Sequence, residues 1–182
     1  DIDLPLIKTN KKIEYINLPC GFDIETTSYK VDDVKMAFMY VWMFGIDHGK
    51  GVYYGRTWEE FLEVCEELQT RFNLSENKRL VVYVHNLGYE FQFMRKYFNW
   101  VDGGIFAVDE RKPIKCLCDY GIEFRDSQSL SQMSLANTAK NLAKYKVRKM
   151  EGDLDYSLIR HHETPLTDKE MKYCENDILV IT

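Results

Sequence analysis

Short apolar blocks separated by turn residues occupy the first third of the chain, and this pattern predicts β-strands. Residues 17–25 are predicted as one strand, and Val34–Ile46 and Gly51–Gly55 as two more. The segment 47–50, Asp-His-Gly-Lys, has the composition of a turn. The three predicted strands are therefore expected to follow one another as a meander.

Beyond this meander the apolar period lengthens to that of an α-helix. Over residues 57–73 the apolar side chains recur every three or four positions, and glutamates occupy the opposite side. The apolar positions are Trp58, Phe61, Leu62, Cys65, Leu68 and Phe72. We interpret this stripe as part of the core and not as a cofactor site.

The remaining chain alternates between the two patterns. The predicted elements are a buried strand at 79–84, an aromatic helix at 89–98, two or three strands within 105–124, a helix near 134–144 and a final helix. The final helix opens with Thr167 and Glu170, the sequence pattern of a capping box. A meander followed by strand–helix alternation predicts an α/β fold with a mixed sheet.

Composition places the chain among globular proteins of one domain. It has 182 residues, of which 45% are hydrophobic and 29% charged. No apolar run approaches the roughly 20 residues needed to span a bilayer, so we expect no membrane association. The net charge of -5 argues against a strongly basic nucleic-acid coat protein. The basic segment 140–149 is either a solvated helix face or a contact to a DNA backbone.

The chain has five cysteines, an odd number, and lacks a CxxC pair. Cys116 and Cys118 have strand-like spacing with too few partners for a zinc site. We therefore expect free, buried thiols in a reducing compartment.

The candidate chemistry lies in two pairs of polar residues. Asp23 and Glu25 are two apart in a predicted strand, and Tyr173 and Asp177 are four apart in a predicted helix, so each pair shares one face. Clustered carboxylates repel unless hard cations such as Mg²⁺ or Mn²⁺ lie between them. Two such ions about 4 Å apart are a common apparatus for cleaving phosphodiesters. The pattern predicts a metal-dependent nuclease.

Three motifs resemble the 3′–5′ proofreading exonuclease domain of protein-primed family B DNA polymerases of small phages and linear plasmids. They are Asp23-Ile24-Glu25-Thr26-Thr27, His85-Asn86-Leu87-Gly88-Tyr89-Glu90 and Tyr173-Cys174-Glu175-Asn176-Asp177. The segments Asp126-Ser127 and Gly152-Asp153-Leu154-Asp155-Tyr156 also match in order and approximate spacing. The resemblance implies a ribonuclease H-like mixed sheet of five or more strands flanked by helices. It also implies hydrolysis of single-stranded DNA from the 3′ end with two Mg²⁺ or Mn²⁺ ions.

The same resemblance assigns roles to individual residues. Asp23 would be shared by both ions, Glu25 and Asp177 would complete the nucleophile-side site, and Glu90 would hold the leaving-group ion. Tyr173 would hydrogen-bond the attacking water or the scissile phosphate, or be an ordinary half-buried tyrosine. The candidate DNA-binding residues are Thr26, His85, Asn86, Tyr89, Ser127, Lys149 and Tyr156. Two of these have alternatives: Asn86 could cap the following helix, and His85 could be a core histidine.

Three positions depart from the family pattern. Glu90 replaces the family's Asp, Glu151 stands where the family has Lys, with Lys149 the nearest lysine, and Gln128 stands where Leu is frequent. These departures keep a second hypothesis open, a weakened single-strand-binding or regulatory module of a polymerase. A free-standing exoribonuclease of the same superfamily is the third.

The resemblance also sets expectations for the protein as a whole. We expect residues 1–182 to be one exonuclease domain, with residues 1–16 as an N-terminal extension, cut from a longer chain whose polymerase domain is absent here. The expected partners are the 3′ end of single-stranded DNA, that polymerase domain and a terminal priming protein. The expected location is the cytoplasm of a bacterial host.

Overall fold

A mixed β-sheet forms the centre of the structure. The computed structural model describes residues 6–8, 12–109, 112–132, 134, 135, 137 and 154–182, and these contribute nine strands. The strands are β1 (Leu6–Lys8), β2 (Glu14–Ile16), β3 (Cys20–Val31), β4 (Val34–Ile46), β5 (Gly51–Gly55), β6 (Lys78–Val84), β7 (Trp100–Ala107), β8 (Pro113–Cys118) and β9 (Ile122–Asp126).

The strand order is β5-β4-β3-β6-β9-β8-β7. Strands β3, β6 and β9 are mutually parallel, whereas β4, β5, β7 and β8 run antiparallel to their neighbours. Strand β2 pairs in parallel with the beginning of β6, so residues 14–16 take part in the sheet. The predicted α/β fold with a mixed sheet is confirmed.

Helices cover both faces of this sheet. The helices are α1 (Trp58–Phe72), α2 (Leu87–Met94), α3 (Ser127–Ser131) and α4 (Asp168–Ile181). Helices α1 and α2 pack on one face around Phe61, whose ring stacks on Phe22 at 4.3 Å. Helix α4 packs on the other face through Cys174 and Ile178. Burying a large apolar side chain such as Phe61 stabilises the fold by about 1.5–3 kcal/mol.

Local sequence signals located the two long helices well. Helix α1 has Thr57 as its N-cap and Asn73, with φ 52°, as its C-cap. The capping box predicted at Thr167 and Glu170 is present, and Thr57 and Glu60 form a second one. All five cysteines are buried and free, as predicted.

Other predicted boundaries were wrong. Strand β3 does not end at Glu25 but continues to Val31, because β4 supplies a pairing partner along its whole length. Helix α2 begins at Leu87 and not at Tyr89, and it ends at Met94. Most of the predicted helix 134–144 lies outside the described residues. The basic segment 140–149 lies entirely outside them.

None of the helices in the described part of the chain is long and apolar enough to cross a bilayer.

Candidate metal centre

Three carboxylates meet between β3 and α4. Asp23 and Glu25 project on the same face of β3 because they are two residues apart. Asp177 projects from α4 and is 4% exposed. One oxygen from each of the three carboxylates lies within 4.8 Å of the other two. The structure thus brings together three of the predicted metal ligands.

Two glycines allow α4 to approach the sheet this closely. Gly21 and Gly45 are opposite each other on β3 and β4. A Cβ added at Gly21 would lie 2.8 Å from Ile181 Cγ2, and one at Gly45 would lie 2.7 Å from Thr182 Cγ2. Small residues at these two positions therefore bring Asp177 to β3.

A β-bulge adjoins the carboxylates. Glu25 is opposite Val41 and Thr26 is opposite Met39, so Tyr40 is the extra residue of β4. Arg56 Nε donates a hydrogen bond of 2.6 Å to the Tyr40 carbonyl. Bulges bend a strand and are frequent beside active sites, because they redirect neighbouring side chains.

Glu90 is buried within the electrostatic influence of this cluster. It lies on the first turn of α2 and is 3% exposed, and its Oε2 has no hydrogen-bond partner among the described residues. Burial, and then the charge of Asp23, raise the pKa of Glu90 well above its ordinary range. Glu90 is not one of the three carboxylates that approach within 4.8 Å.

Asp126 fixes the helix that carries Glu90. Its Oδ1 accepts hydrogen bonds from the backbone N–H groups of Asn86, at 3.0 Å, and Leu87, at 2.9 Å. Its Oδ2 accepts from the backbone N–H of Ser129, at 2.8 Å, as the N-cap of α3. Sequence reasoning matched Asp126 to a family segment but missed this role, because its partners lie about 40 residues away in the chain.

Asn86 occupies the N-cap position of α2 with φ 76° and ψ 56°, but its side chain makes no capping hydrogen bond. The capping role considered for that side chain was therefore wrong. Asp126 binds the backbone amides at this end of the helix instead.

Tyr173 lies one turn before Asp177 on α4 and is 6% exposed. Its hydroxyl lies 3.3 Å from that of Tyr156, a residue 65% exposed. Burial raises the pKa of Tyr173, and the Tyr156 hydroxyl and the Asp177 charge raise it further. Tyr173 is therefore a protonated phenol at neutral pH and can donate a hydrogen bond.

The other predicted contact residues gather near the same edge of the sheet. Across the parallel strands β3, β6 and β9, Phe22 pairs with Val84 and Val84 with Asp126. The residues that follow these three therefore lie side by side at the carboxyl ends, where α/β sheets bind ligands. They are Asp23, His85 and Ser127.

Two contacts join these predicted DNA-binding residues in pairs. The hydroxyls of Thr26 and Tyr89 are in contact, which links β3 to α2. His85 Nδ1 lies 3.1 Å from Ser127 Oγ. Lys149 lies outside the described residues.

The donor set fits a hard divalent cation. Three carboxylates offer only oxygen, the donor type that Mg²⁺ and Mn²⁺ prefer. The Glu90 Oε2 atom has no hydrogen-bond partner among the described residues, and burial and the charge of Asp23 raise the pKa of Glu90. A cation held here would relieve both the mutual repulsion and the burial of negative charge.

The chain matches no protein-family model and no curated protein. Among solved structures it is similar to phi29 DNA polymerase complexed with primer-template DNA and incoming nucleotide substrates. The TM-score is 0.68 and the sequence identity is 19%. The match covers 90% of this chain and 29% of the polymerase. For phi29 DNA polymerase complexed with single-stranded DNA, the TM-score is 0.67 and the identity 20%, covering 90% of this chain and 30% of the polymerase. The likeness shows the fold. That fold is α/β and ribonuclease H-like.

Proposed function

We propose that the chain is the 3′–5′ exonuclease domain of a DNA polymerase, which removes nucleotides from the 3′ end of single-stranded DNA. The observation that carries this proposal is the approach of Asp23, Glu25 and Asp177 within 4.8 Å, in the chemistry of a divalent-cation site. The shared fold with phi29 DNA polymerase supports it.

Each acidic residue has a distinct place in this proposal. Asp23, Glu25 and Asp177 would hold one Mg²⁺ or Mn²⁺ ion, and Asp23 and Glu90 would hold the second. Bound divalent ions supply positive charge to the scissile phosphate and lower the pKa of water, so no side chain needs to act as a general base. Glu90 would offer its carboxylate from the first turn of α2, where Asp126 accepts the backbone N–H of Leu87.

Tyr173 orients the reacting groups. Its hydroxyl stays protonated, because burial and neighbouring negative charge raise its pKa. It donates a hydrogen bond to the attacking water or to a phosphate oxygen. The hydroxyl of Tyr156, 3.3 Å away, offers a second polar group for the phosphate.

The neighbouring polar residues hold the terminal nucleotides. Thr26 and Tyr89 offer adjoining hydroxyls, and the Tyr89 ring, 40% exposed, offers a face on which a base can stack. His85 and Ser127 offer polar groups for the sugar–phosphate backbone. Such contacts carry little base information, so we expect slight sequence preference.

One observation favours a second candidate, a single-strand-binding module with little or no hydrolysis. Glu90 stands where the family has Asp, and it is not among the carboxylates within 4.8 Å of one another. In that case the acidic cluster and the contact residues would still bind a 3′ end, but the second cation would be held poorly.

A degradation assay separates the candidates. The protein is incubated with 5′-labelled single-stranded DNA and RNA oligonucleotides of the same sequence, with Mg²⁺, Mn²⁺ or EDTA. Stepwise shortening of the DNA from its 3′ end, dependent on the divalent ion, is expected. Preferential shortening of the RNA would support the exoribonuclease, and binding without shortening would support the module.

The matched variants are Asp23→Ala and Glu67→Ala. Asp23→Ala should abolish shortening and keep the fold, because it removes charge stabilisation and not core packing. Glu67 is an exposed carboxylate on α1 that pairs with the exposed Arg71, so its loss should leave the rate unchanged. Equal rates for Asp23→Ala and the unmodified protein would overturn the proposal.

A further inference from the structure

A buried arginine lies at the end of an otherwise exposed segment before α4. Residues 155–159 are all exposed, whereas Arg160 is 4% exposed. Burying a guanidinium is costly unless its donors are matched by acceptors. Its partners therefore indicate what it holds in place.

The first partner is Glu170 on α4. Arg160 Nε and Nη2 lie 3.0 and 2.5 Å from Glu170 Oε1. Glu170 is also the N3 residue of the capping box with Thr167, and its Oε2 accepts the Thr167 backbone N–H at 2.8 Å. The carboxylate thus ties the preceding segment to the first turn of the helix.

The remaining partners lie in the segment itself and in the sheet. Arg160 Nη1 donates to the Asp155 carbonyl at 2.8 Å, which closes the segment into a loop. The Arg160 backbone N–H donates to Thr27 Oγ1 on β3 at 3.2 Å, and the guanidinium lies 5.7 Å from the ring centre of Tyr40. The loop is therefore bound to both layers that meet at the carboxylates.

These contacts reach the residue next to Tyr156. Tyr156 directly follows Asp155, whose carbonyl Arg160 holds, and Tyr173 lies one turn after Glu170 on α4. The chain of contacts from Glu170 through Arg160 therefore ends at the residue before Tyr156, whose hydroxyl lies 3.3 Å from that of Tyr173. Tyr156 itself is 65% exposed.

We infer that Arg160 is a positioning residue that places the Tyr156 hydroxyl beside Tyr173 at the proposed nuclease site. The inference rests on the proposed function, because it assigns Arg160 an effect on the reaction. Arg160 itself touches no reacting group and acts through the loop 155–160.

The kinetic test uses Arg160→Lys, which keeps the charge but loses the two-pronged geometry toward Glu170. Displacing Tyr156 by about an ångström should lower kcat for a single-stranded oligonucleotide by about 10- to 100-fold. In a Tyr156→Phe background the same change should have almost no further effect, because the hydroxyl it positions is already gone. Arg71→Ala, which removes an exposed arginine on α1, is the control and should leave kcat unchanged. A full additional loss in the Tyr156→Phe background would overturn the inference.

A second measurement does not depend on activity. With 3-fluorotyrosine incorporated, the ¹⁹F resonance of residue 156 should shift when Tyr173 is replaced by Phe, because the two hydroxyls are in contact. The same replacement should leave that resonance unmoved in the Arg160→Lys protein. A shift in the unmodified protein and none in Arg160→Lys, found in a protein without nuclease activity, would overturn the proposed function. The inference that Arg160 positions Tyr156 would still stand. If Tyr173→Phe shifts the resonance of residue 156 as much in the Arg160→Lys protein as in the unmodified protein, the positioning role of Arg160 is wrong.

Discussion

At the scale of single residues, burial decides what each group at the site can do. Tyr173 and Glu90 lie near the same carboxylates and are almost equally inaccessible, at 6% and 3% exposure. Their surroundings raise the pKa of both groups. For Tyr173 the result is a hydrogen-bond donor at neutral pH, and for Glu90 it is a carboxyl group whose charged form a nearby cation would stabilise.

Tyr173→Phe should lower the rate of nucleotide removal by about 10- to 1,000-fold, the range for one positioned hydrogen-bonding group. The ring stays in place, so affinity for single-stranded DNA should change little. Single-turnover kinetics and a binding titration check the two statements. A variant that cleaves at the unmodified rate would make Tyr173 an ordinary buried tyrosine.

Glu90→Asp should raise the rate at limiting Mg²⁺ or Mn²⁺, and Glu90→Ala should lower it. The proposed reason is the extra methylene of Glu90, which would displace its carboxylate from the position that an aspartate would take and so weaken the binding of the second proposed ion. Rates on a mismatched primer end, titrated with the metal, measure this. A loss of more than tenfold in Glu90→Asp, about 1.4 kcal/mol of barrier, would show that the site is adapted to glutamate.

At the scale of secondary-structure elements, the site depends on how closely α4 lies on β3 and β4. Gly21 and Gly45 permit that approach, and Glu170 ties the start of α4 to the loop that carries Tyr156. Hydrogen bonds thus fix the position of the first turn of α4, and close packing against the two glycines fixes the position of its last turn.

Gly45→Ala should lower both the rate of nucleotide removal and the stability of the fold. The added Cβ would lie 2.7 Å from Thr182 Cγ2 and 3.0 Å from Ile178 Cγ1, so α4 must move and take Asp177 with it. Overpacking of this kind costs about 1–3 kcal/mol. The matched control is Gly103→Ala in β7, where φ is +70° and no atom lies within 4 Å of the added Cβ. Both should lose stability in urea, but only Gly45→Ala should lose rate, and equal rates would refute the explanation.

The Arg160–Glu170 contact should make stability depend on pH in the acid range. Although burial alone would raise the pKa of Glu170, hydrogen bonds from Thr167 and Arg160 lower it below its ordinary value. The stabilisation is therefore complete above the unfolded-state pKa, about 4.3, and is lost as the pH falls through the lower folded-state value. Unfolding free energies of the unmodified protein and Glu170→Gln, measured between neutral and acid pH, should converge at low pH. A constant difference over that range would contradict the pKa shift.

At the scale of the whole molecule, folding brings the carboxylates of Asp23, Glu25 and Asp177 together. Their mutual repulsion would oppose folding without a cation. The chain carries a net charge of -5, and its strand and helix carboxylates meet only when the fold is complete. Cation binding and folding should therefore be coupled.

Mg²⁺ should raise the free energy of unfolding by about 2.7 kcal/mol at a concentration one hundred times its dissociation constant. Urea unfolding in EDTA and in Mg²⁺, with NaCl at equal ionic strength as the control for screening, measures the increase. Asp23→Ala should abolish it, whereas Glu67→Ala should retain it. An equal increase from NaCl alone would mean that screening, and not a site, is responsible.

The elements with strong local signals could be predicted from the sequence. The apolar spacing over residues 57–73 located α1, and the capping box at Thr167 located the start of α4. The alternation of side chains in β3 placed Asp23 and Glu25 on one face. These features depend on interactions over four residues or fewer, which the order of residues in the chain specifies directly.

The tertiary structure decided the features that join distant segments. Strand β3 extends to Val31 because β4 pairs with it, and α2 begins at Leu87 next to the carboxylate of Asp126, 39 residues farther along the chain. The burial of Glu90 and the role of Arg160 also depend on partners from other elements. No periodicity carries such information, because a contact between distant residues exists only once packing has brought their elements together. The sequence thus determined which groups are available for chemistry, and the packing of α2, α4 and the loop 155–160 determined which of them meet.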